Sequence, residues 1–217
     1  MAKREGINYP KFKDQFAAMD FEAEPMPVLS LFPVPDTRAI EDWQVTLTGV
    51  MGERVMLGWP ELAALPRVRQ RAPLVCQIFN WSEEPMVEGV RLCDVIELAG
   101  LQAKDQAYWG FYSADGFYFE TLPRSMALDP RVLLVFGLND APLPTQYGGP
   151  LRLWVPFLQG YKSVKWVQAV RAFRKDPVGI KRLLGQSRTA VLGSDGQEKA
   201  GIVVAKPALT EDSLADI

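Results

Sequence analysis

Three side chains in this sequence are placed where they could do chemistry: Arg152, Lys165 and Cys76. Arg152 interrupts the apolar run Gly149-Pro150-Leu151-Arg152-Leu153-Trp154-Val155-Pro156, and Lys165 sits in Gly160-Tyr161-Lys162-Ser163-Val164-Lys165-Trp166. Both runs are strand-like, and each carries a cation where a purely structural strand would take a neutral residue. A Gly-containing bend lies between them. That pattern presents a guanidinium, an ammonium and loop amides to an anionic ligand. Upstream, Cys76 lies in the apolar run Leu74-Val75-Cys76-Gln77-Ile78-Phe79. The three together suggest a buried anionic cofactor with a thiolate ligand. Taken singly, each has a plainer reading. A lone cysteine in an apolar strand is by default a core residue, as Cys93 is expected to be. Strand cations by default solvate an edge. Trp81, Trp154 and Trp166 read as core or pocket-wall aromatics, and Glu83-Glu84 as a solvated loop.

The composition removes many other chemistries. The chain has 217 residues and no histidine, so it cannot itself supply a Ser-His-Asp triad, a Cys-His pair, a His-ligated zinc or a histidine-ligated haem. General acid–base work would fall to carboxylates, tyrosine or lysine. Two cysteines cannot make a four-cysteine metal site, and Cys76 and Cys93 each sit in an expected regular element, which disfavours a disulfide. A net charge of −2 gives no electrostatic reason to expect nucleic acid. The N-terminal residues are basic with no apolar stretch behind them, and no run reaches the roughly 18 apolar residues of a membrane span. The expectation is a cytoplasmic protein without a membrane span.

Elements must hold these residues in place. Residues 1–39, rich in charges and proline, read as an extended arm partly ordered by Phe21, Leu31 and Phe32. Residues 40–185 form the domain, and 186–217 a partly flexible tail with an apolar anchor at Ile202-Val203-Val204. Alternation predicts a strand over 43–50, and Trp59–Pro66 fits a short helix with proline at its start and its end. The clearest amphipathic helix is expected over 89–100, with Val90, Cys93, Ile96 and Leu98 or Ala99 inward and Gly100 as its C-cap. Further strands are expected over 74–79, 108–112, 132–138, 152–155 and 165–173, and a helix over 122–128. Ser113-Ala114-Asp115-Gly116 and Asn139-Asp140-Ala141-Pro142 are turns. Strands with a few short helices predict a mixed, β-rich α+β fold.

From Trp43 to about Asp176 the chain resembles the molybdopterin-binding domain of the sulfite oxidase superfamily, which also holds bacterial methionine-sulfoxide reductase catalytic subunits and assimilatory nitrate reductases. The resemblance is carried by several motifs in order. They are Trp43-Gln44-Val45-Thr46-Leu47-Thr48-Gly49, Leu65-Pro66, Cys76, Glu88 to Val95, Ser113-Ala114-Asp115-Gly116 and Asn139-Asp140-Ala141-Pro142-Leu143-Pro144. The two cationic runs at 149–156 and 160–166 complete the set.

That resemblance implies a molybdopterin cofactor whose molybdenum is ligated by the Cys76 thiolate, a soft ligand suited to a metal already held by sulfur. It implies that Ser113, Arg152, Ser163, Val164 and Lys165 line the pterin pocket, with Asp115 and Tyr147 facing it. Arg152 and Lys165 would meet the phosphate and polar pterin edges, while Ser163 and the backbone of 163–165 would donate hydrogen bonds. The implied activity moves an oxygen atom to or from a small oxyanion or sulfoxide, with electrons exchanged with a separate partner such as a cytochrome. Arg71, Arg91 and Arg124 are candidates for the substrate rim. The chain departs from the family where Leu29 to Pro35 lacks the Arg-Asn-His-like segment, where Trp81 is displaced relative to Cys76, and where Val87 replaces an aromatic. Those departures motivate an alternative, a non-catalytic cofactor- or partner-binding module that kept the fold.

Overall fold

The computed structural model describes residues 33–76, 81–101, 105–183, 186 and 190–192. The arm residues Phe21, Leu31 and Phe32, positions 77–79 and the anchor at 202–204 lie outside the described residues. The strands in chain order are β1 (Val45–Thr48), β2 (Arg54–Leu57), β3 (Arg67–Arg71), β4 (Leu74–Cys76), β5 (Trp81–Glu83), β6 (Met86–Arg91), β7 (Tyr108–Ser113), β8 (Phe119–Pro123), β9 (Leu133–Leu138), β10 (Ala141–Pro142), β11 (Arg152–Trp154) and β12 (Val167–Phe173). Four short helices accompany them: α1 (Trp59–Ala63), α2 (Leu92–Leu98), α3 (Arg124–Ala127) and α4 (Ile180–Leu183). The mixed, β-rich α+β class is therefore the observed one.

One sheet has the order β2-β1-β12-β7-β8, antiparallel except where β1 runs parallel to β12. A second has the order β10-β9-β6-β3, and β11 pairs with Leu133–Val135 of β9 beside β10. β4 and β5 form a two-stranded ribbon that pairs Cys76 with Trp81. The run Leu-Leu-Val-Phe-Gly-Leu of β9 is continuously apolar because both faces are covered. Leu134 and Phe136 enter the main hydrophobic cluster between the elements, whereas Leu133, Val135 and Leu138 enter a second cluster with Val87, Leu74, Tyr147 and Trp154. The same alternation runs through β11. Leu153 faces the main cluster and Trp154 the second, so Arg152, two residues from Trp154, is on the second face. Cys76 packs against that second cluster too. The sheet thereby brings two of the three chemically capable residues to one side.

Several elements differ from expectation. Residues 86–91 are strand, and the helix begins only at Leu92. Val87, Gly89 and Val90 are taken into the centre of a sheet between β3 and β9, where cross-strand pairing outweighs the helical spacing read from the sequence. In α2 the buried residues are Leu92, Val95 and Ile96, with Leu98 48% exposed. Cys93 is half-buried instead of core, its thiol donating to Asp94 Oδ1 at 3.4 Å. Residues 119–123 are strand β8, and only the single turn α3 is helical, because the backbone of 119–123 pairs with β7. The strand expected from Lys165 starts at Val167. Glu83 is half-buried on β5 instead of in a solvated loop, and burial raises its pKa. β2, short and apolar but for Arg54, and β3, mostly polar in sequence, were not expected at all.

At the boundaries, Thr37 and Thr145 hydroxyls are 2.8 Å apart. Residues 190–192 pack back on 157–159, with Gln159 N–H donating to Ala190 O at 2.8 Å and a Leu158–Val191 bridge.

Candidate cofactor site

Arg152 is held inside the protein by backbone carbonyls. Its Nη1 donates to the Tyr147 carbonyl at 2.8 Å and its Nε to the Ser163 carbonyl at 3.2 Å, with the guanidinium over the Trp154 ring at 5.1 Å. It is 5% exposed, and among the described residues no acidic side chain lies within ion-pair distance. Burial lowers its pKa to about 10, while Tyr118 and Cys76 favour the charged form, so the guanidinium remains a cation at neutral pH. Buried charge of this kind is costly unless an anion offsets it.

Cys76 closes the ribbon edge of the same site. β4 is placed by a parallel bridge from Val75 to Gln159 and by the Trp154 indole N–H donating to the Pro73 carbonyl at 3.2 Å. The thiol is half-buried and in no disulfide. It lies within electrostatic reach of Tyr118, Arg152, Lys165 and Lys181.

Lys165 reaches the site from a strained turn. Trp166 beside it takes a left-handed φ of 50°, a cost of roughly 1–3 kcal/mol for such a residue. Three hydrogen bonds hold it there: its N–H to Gly148 O at 3.0 Å, its indole to Thr145 O at 2.7 Å, and Ala114 N–H to its carbonyl at 2.8 Å. Gly148 has φ 103°, and a Cβ there would come within 3.0 Å of Lys165 Cα, Cβ and Cγ, so only glycine lets the two segments meet. The Lys165 ammonium donates to Gln146 O at 2.8 Å. Burial, and then the neighbouring Arg152 charge, lower its pKa to about 7.

The remaining expected residues are near neighbours in the chain fabric. Ser113 ends β7, buried, and its hydroxyl accepts the Asp115 N–H at 3.3 Å. The Asp115 carboxylate caps its own turn, accepting the N–H groups of Phe117 at 2.9 Å and Tyr118 at 2.8 Å. That turn abuts Trp166 through Ala114, and the Tyr118 hydroxyl donates to the Tyr161 carbonyl at 2.7 Å. Burial, followed by Glu120 and Tyr161, raises the Tyr118 pKa well above the usual phenol range. Tyr147 offers its carbonyl to Arg152. The Ser163 hydroxyl accepts the Val155 N–H at 3.1 Å. Val164 is buried in the main cluster, its carbonyl accepting Leu153 N–H at 2.9 Å. The N–H groups of Ser163 and Val164 already donate to Gly160 O and Lys162 O, at 3.0 and 3.1 Å. Of the rim candidates, Arg71 is exposed and donates to Glu84 O at 3.2 Å, Arg91 pairs with Asp94 at 3.7 Å, and Arg124 is on α3.

Three buried ionisable residues were not read from the sequence. Lys162 Nζ is 2.6 Å from Glu120 Oε2 and donates also to Thr121 O at 3.2 Å, with the two ionic side chains 5% and 1% exposed. Glu120 Oε1 accepts the Lys181 backbone N–H at 2.8 Å. Gly179 packs on the same carboxylate, where a Cβ would fall 2.4 Å from Oε2. The sequence signal for Lys162 was its place three residues before Lys165. Lys181 gave none.

The donor set offers one sulfur, Cys76, within electrostatic reach of Arg152, Lys165 and Lys181. Among the described residues no group of three or more His, Cys, Asp or Glu could hold a metal ion. A metal at Cys76 would thus need its other ligands from an anionic organic group, for which Arg152 and Lys165 are suitable neighbours. Residues 31–180, more than half of the chain, match the oxidoreductase molybdopterin-binding domain family. The chain belongs to this family. Its cofactor class is molybdopterin and its activity class oxidoreductase.

Relatives agree. The oxidoreductase YuiH of Bacillus subtilis is 29% identical over 71% of this chain and 77% of its own length. Mitochondrial sulfite oxidase of Drosophila melanogaster is 29% identical over 64% of this chain, and the methionine-sulfoxide reductase catalytic subunit MsrP of Gluconobacter oxydans is 26% identical over 62%. The chain spans 28% and 48% of those two proteins. The sulfane dehydrogenase SoxCD of Paracoccus pantotrophus shares the fold, with a TM-score of 0.57 and 22% identity over 74% of this chain and 45% of that one. No helix among the described residues is long and apolar enough to cross a membrane.

Proposed function

We propose that this chain is a molybdenum-cofactor oxidoreductase that moves an oxygen atom to or from a small oxyanion or sulfoxide. The observation that carries the reading is the Cys76 thiol held within electrostatic reach of Arg152, Lys165 and Lys181. The names of two relatives, a sulfite oxidase and a sulfoxide reductase subunit, support the substrate class.

In this reading Cys76 is the protein ligand to molybdenum. The bound cofactor supplies two-electron oxygen-atom transfer at the metal. Arg152 and Lys165 offset the negative charge of the phosphate and the polar pterin edge. The Ser113 and Ser163 hydroxyls keep donor capacity toward the pocket beyond the backbone N–H groups they accept. Asp115 and Tyr147 act through backbone geometry, the first by holding the 113–118 turn and the second by fixing Arg152. Val164 closes the pocket wall. In this reading electrons are exchanged with a separate redox protein. MsrP, named as a catalytic subunit, supports such a division.

The test is molybdenum content and substrate-dependent dye reduction on protein made in a cofactor-competent host, for the native chain and Cys76→Ala. Near-stoichiometric metal in the native chain, lost with turnover in a Cys76→Ala protein of unchanged circular dichroism, is expected. A Cys76→Ala protein that keeps both metal and turnover refutes the assignment.

A further inference from the structure

The turn Gly160–Lys162 is gripped from three sides. From the β8 side, the Tyr118 hydroxyl donates to the Tyr161 carbonyl at 2.7 Å, and Lys162 Nζ lies 2.6 Å from Glu120 Oε2 while donating to Thr121 O at 3.2 Å. From the β4 side, Val75 bridges to Gln159, and a Cβ on Gly160 would fall 2.8 Å from Val75 O, one residue from Cys76. From the β11 side, the carbonyl of Ser163, next after Lys162, accepts Arg152 Nε at 3.2 Å, and the Ser163 hydroxyl accepts the Val155 N–H at 3.1 Å. The Lys162 ammonium is already neutralised by Glu120, so it is a strut and not a ligand for an anion. Glu120 is itself fixed: Oε1 accepts the Lys181 N–H at 2.8 Å, and a Cβ on Gly179 would fall 2.4 Å from Oε2. A buried ion pair of this kind adds little net stability over apolar residues of similar volume, whereas its directional bonds fix geometry.

We propose that Glu120 is a positioning residue of the cofactor site: through Lys162 it fixes the 160–163 turn, and with it the alignment of Cys76 on β4 with Arg152 on β11. The proposal rests on the proposed function. A thiolate and a guanidinium on separate strands serve one ligand only if their spacing holds to within about 0.5 Å, and this turn packs on both strands. Tyr118 gives the turn one neutral hydrogen bond. The Glu120–Lys162 bond is charge-assisted, roughly twice as strong, and sets where the turn sits.

The experiment separates positioning from stability with three variants of the full chain. Glu120→Leu combined with Lys162→Met removes both charges. Glu120→Gln keeps the side-chain shape and an acceptor for the Lys181 N–H. Val95→Ala truncates a buried residue of α2 and touches none of the bonds above. Each protein is unfolded in urea, and molybdenum retained after gel filtration is measured. In the cofactor-free protein the rate of Cys76 alkylation by iodoacetamide is followed by mass spectrometry, with Cys93 as internal reference. The double variant is expected to be more stable than Lys162→Met alone. Its Cys76 should nevertheless react roughly ten- to hundredfold faster, the release of one charge-assisted hydrogen bond, with Cys93 unchanged and little molybdenum retained. Glu120→Gln should show the same changes in smaller measure, and Val95→Ala neither. Native Cys76 reactivity and native molybdenum retention in the double variant, or in Glu120→Gln should the double variant not fold, overturn the proposal. So does a Val95→Ala protein whose Cys76 reactivity rises as much as that of Glu120→Gln, because lost stability would then account for both. If the native chain takes up no molybdenum, the proposed function fails, and the Cys76 rates still decide the role of Glu120.

Discussion

Replacing Lys162 with methionine should destabilise this protein far more than loss of a surface lysine. Lys162 Nζ and Glu120 Oε2 are 2.6 Å apart, with side chains 5% and 1% exposed. At an effective dielectric of about 20, unit charges at that distance attract by roughly 6 kcal/mol. The desolvation of both groups has already been spent against that attraction, so the pair's net worth is smaller. Removing one partner is another matter, because the other stays buried and uncompensated, typically at about 3–5 kcal/mol. Glu120 keeps the Lys181 N–H on Oε1, which offsets part of the loss and puts the expectation near the lower end, about 3 kcal/mol. For a chain of this size that corresponds to a fall in Tm of roughly 6–12 °C. Urea unfolding followed by tryptophan fluorescence measures it. A double-mutant cycle with Glu120→Leu should show strong coupling, the double variant being less destabilised than the sum of the singles. A Lys162→Met cost below about 1 kcal/mol, the size of an exposed ion pair, or simple additivity in the cycle, would refute the reasoning.

Other outcomes follow from the same geometry. Gly148→Ala forces a side chain into φ 103° against Lys165, so a loss of roughly 1–3 kcal/mol in thermal unfolding and reduced cofactor loading are expected; full stability and full loading would contradict the packing. Lys165, at about pKa 7 in the free protein, should take up a proton when an anionic phosphate binds beside it. Cofactor or phosphate affinity is then greatest below about pH 7 and falls as pH rises above it, by up to roughly tenfold per unit, and Lys165→Met removes that dependence. A flat affinity profile between pH 7 and 9 in the native chain would count against it. In the cofactor-free protein the lowered Lys165 pKa means folding disfavours its protonated form, so its contribution to stability is poorest below about pH 7 and improves as pH rises above it. Thermal unfolding of native and Lys165→Met proteins across that range checks the sign.

The buried cations Arg152 and Lys165 were legible in the sequence because their residue types break local rules. An arginine flanked by Leu151 and Leu153 and a lysine between Val164 and Trp166 conflict with an apolar surrounding, and that conflict is visible without coordinates. The motif order likewise carried the family and the α+β class. Strand and helix types failed where tertiary pairing overrode local spacing. Residues 86–91 carry apolar positions compatible with a helix, yet they pair on both edges, with β3 and β9. The five residues Arg67–Arg71 alternate exposed and half-buried, and with three arginines they give little apolar signal of their own.

The sequence by itself determined that no histidine is available for the chemistry, which leaves carboxylates, tyrosine, lysine and the two cysteines, and that the chain has the motifs of a molybdopterin-binding domain. Only the tertiary structure decided which charges meet. Glu120 and Lys162 are 42 residues apart, and Glu120 and Lys181 are 61 apart, and nothing in the local sequence of Glu120 or Lys181 distinguishes it from a surface charge. Their roles depend on burial and on distance across the fold. A charged side chain acquires a large energy only when the surrounding protein displaces its water, and no linear pattern encodes where that happens.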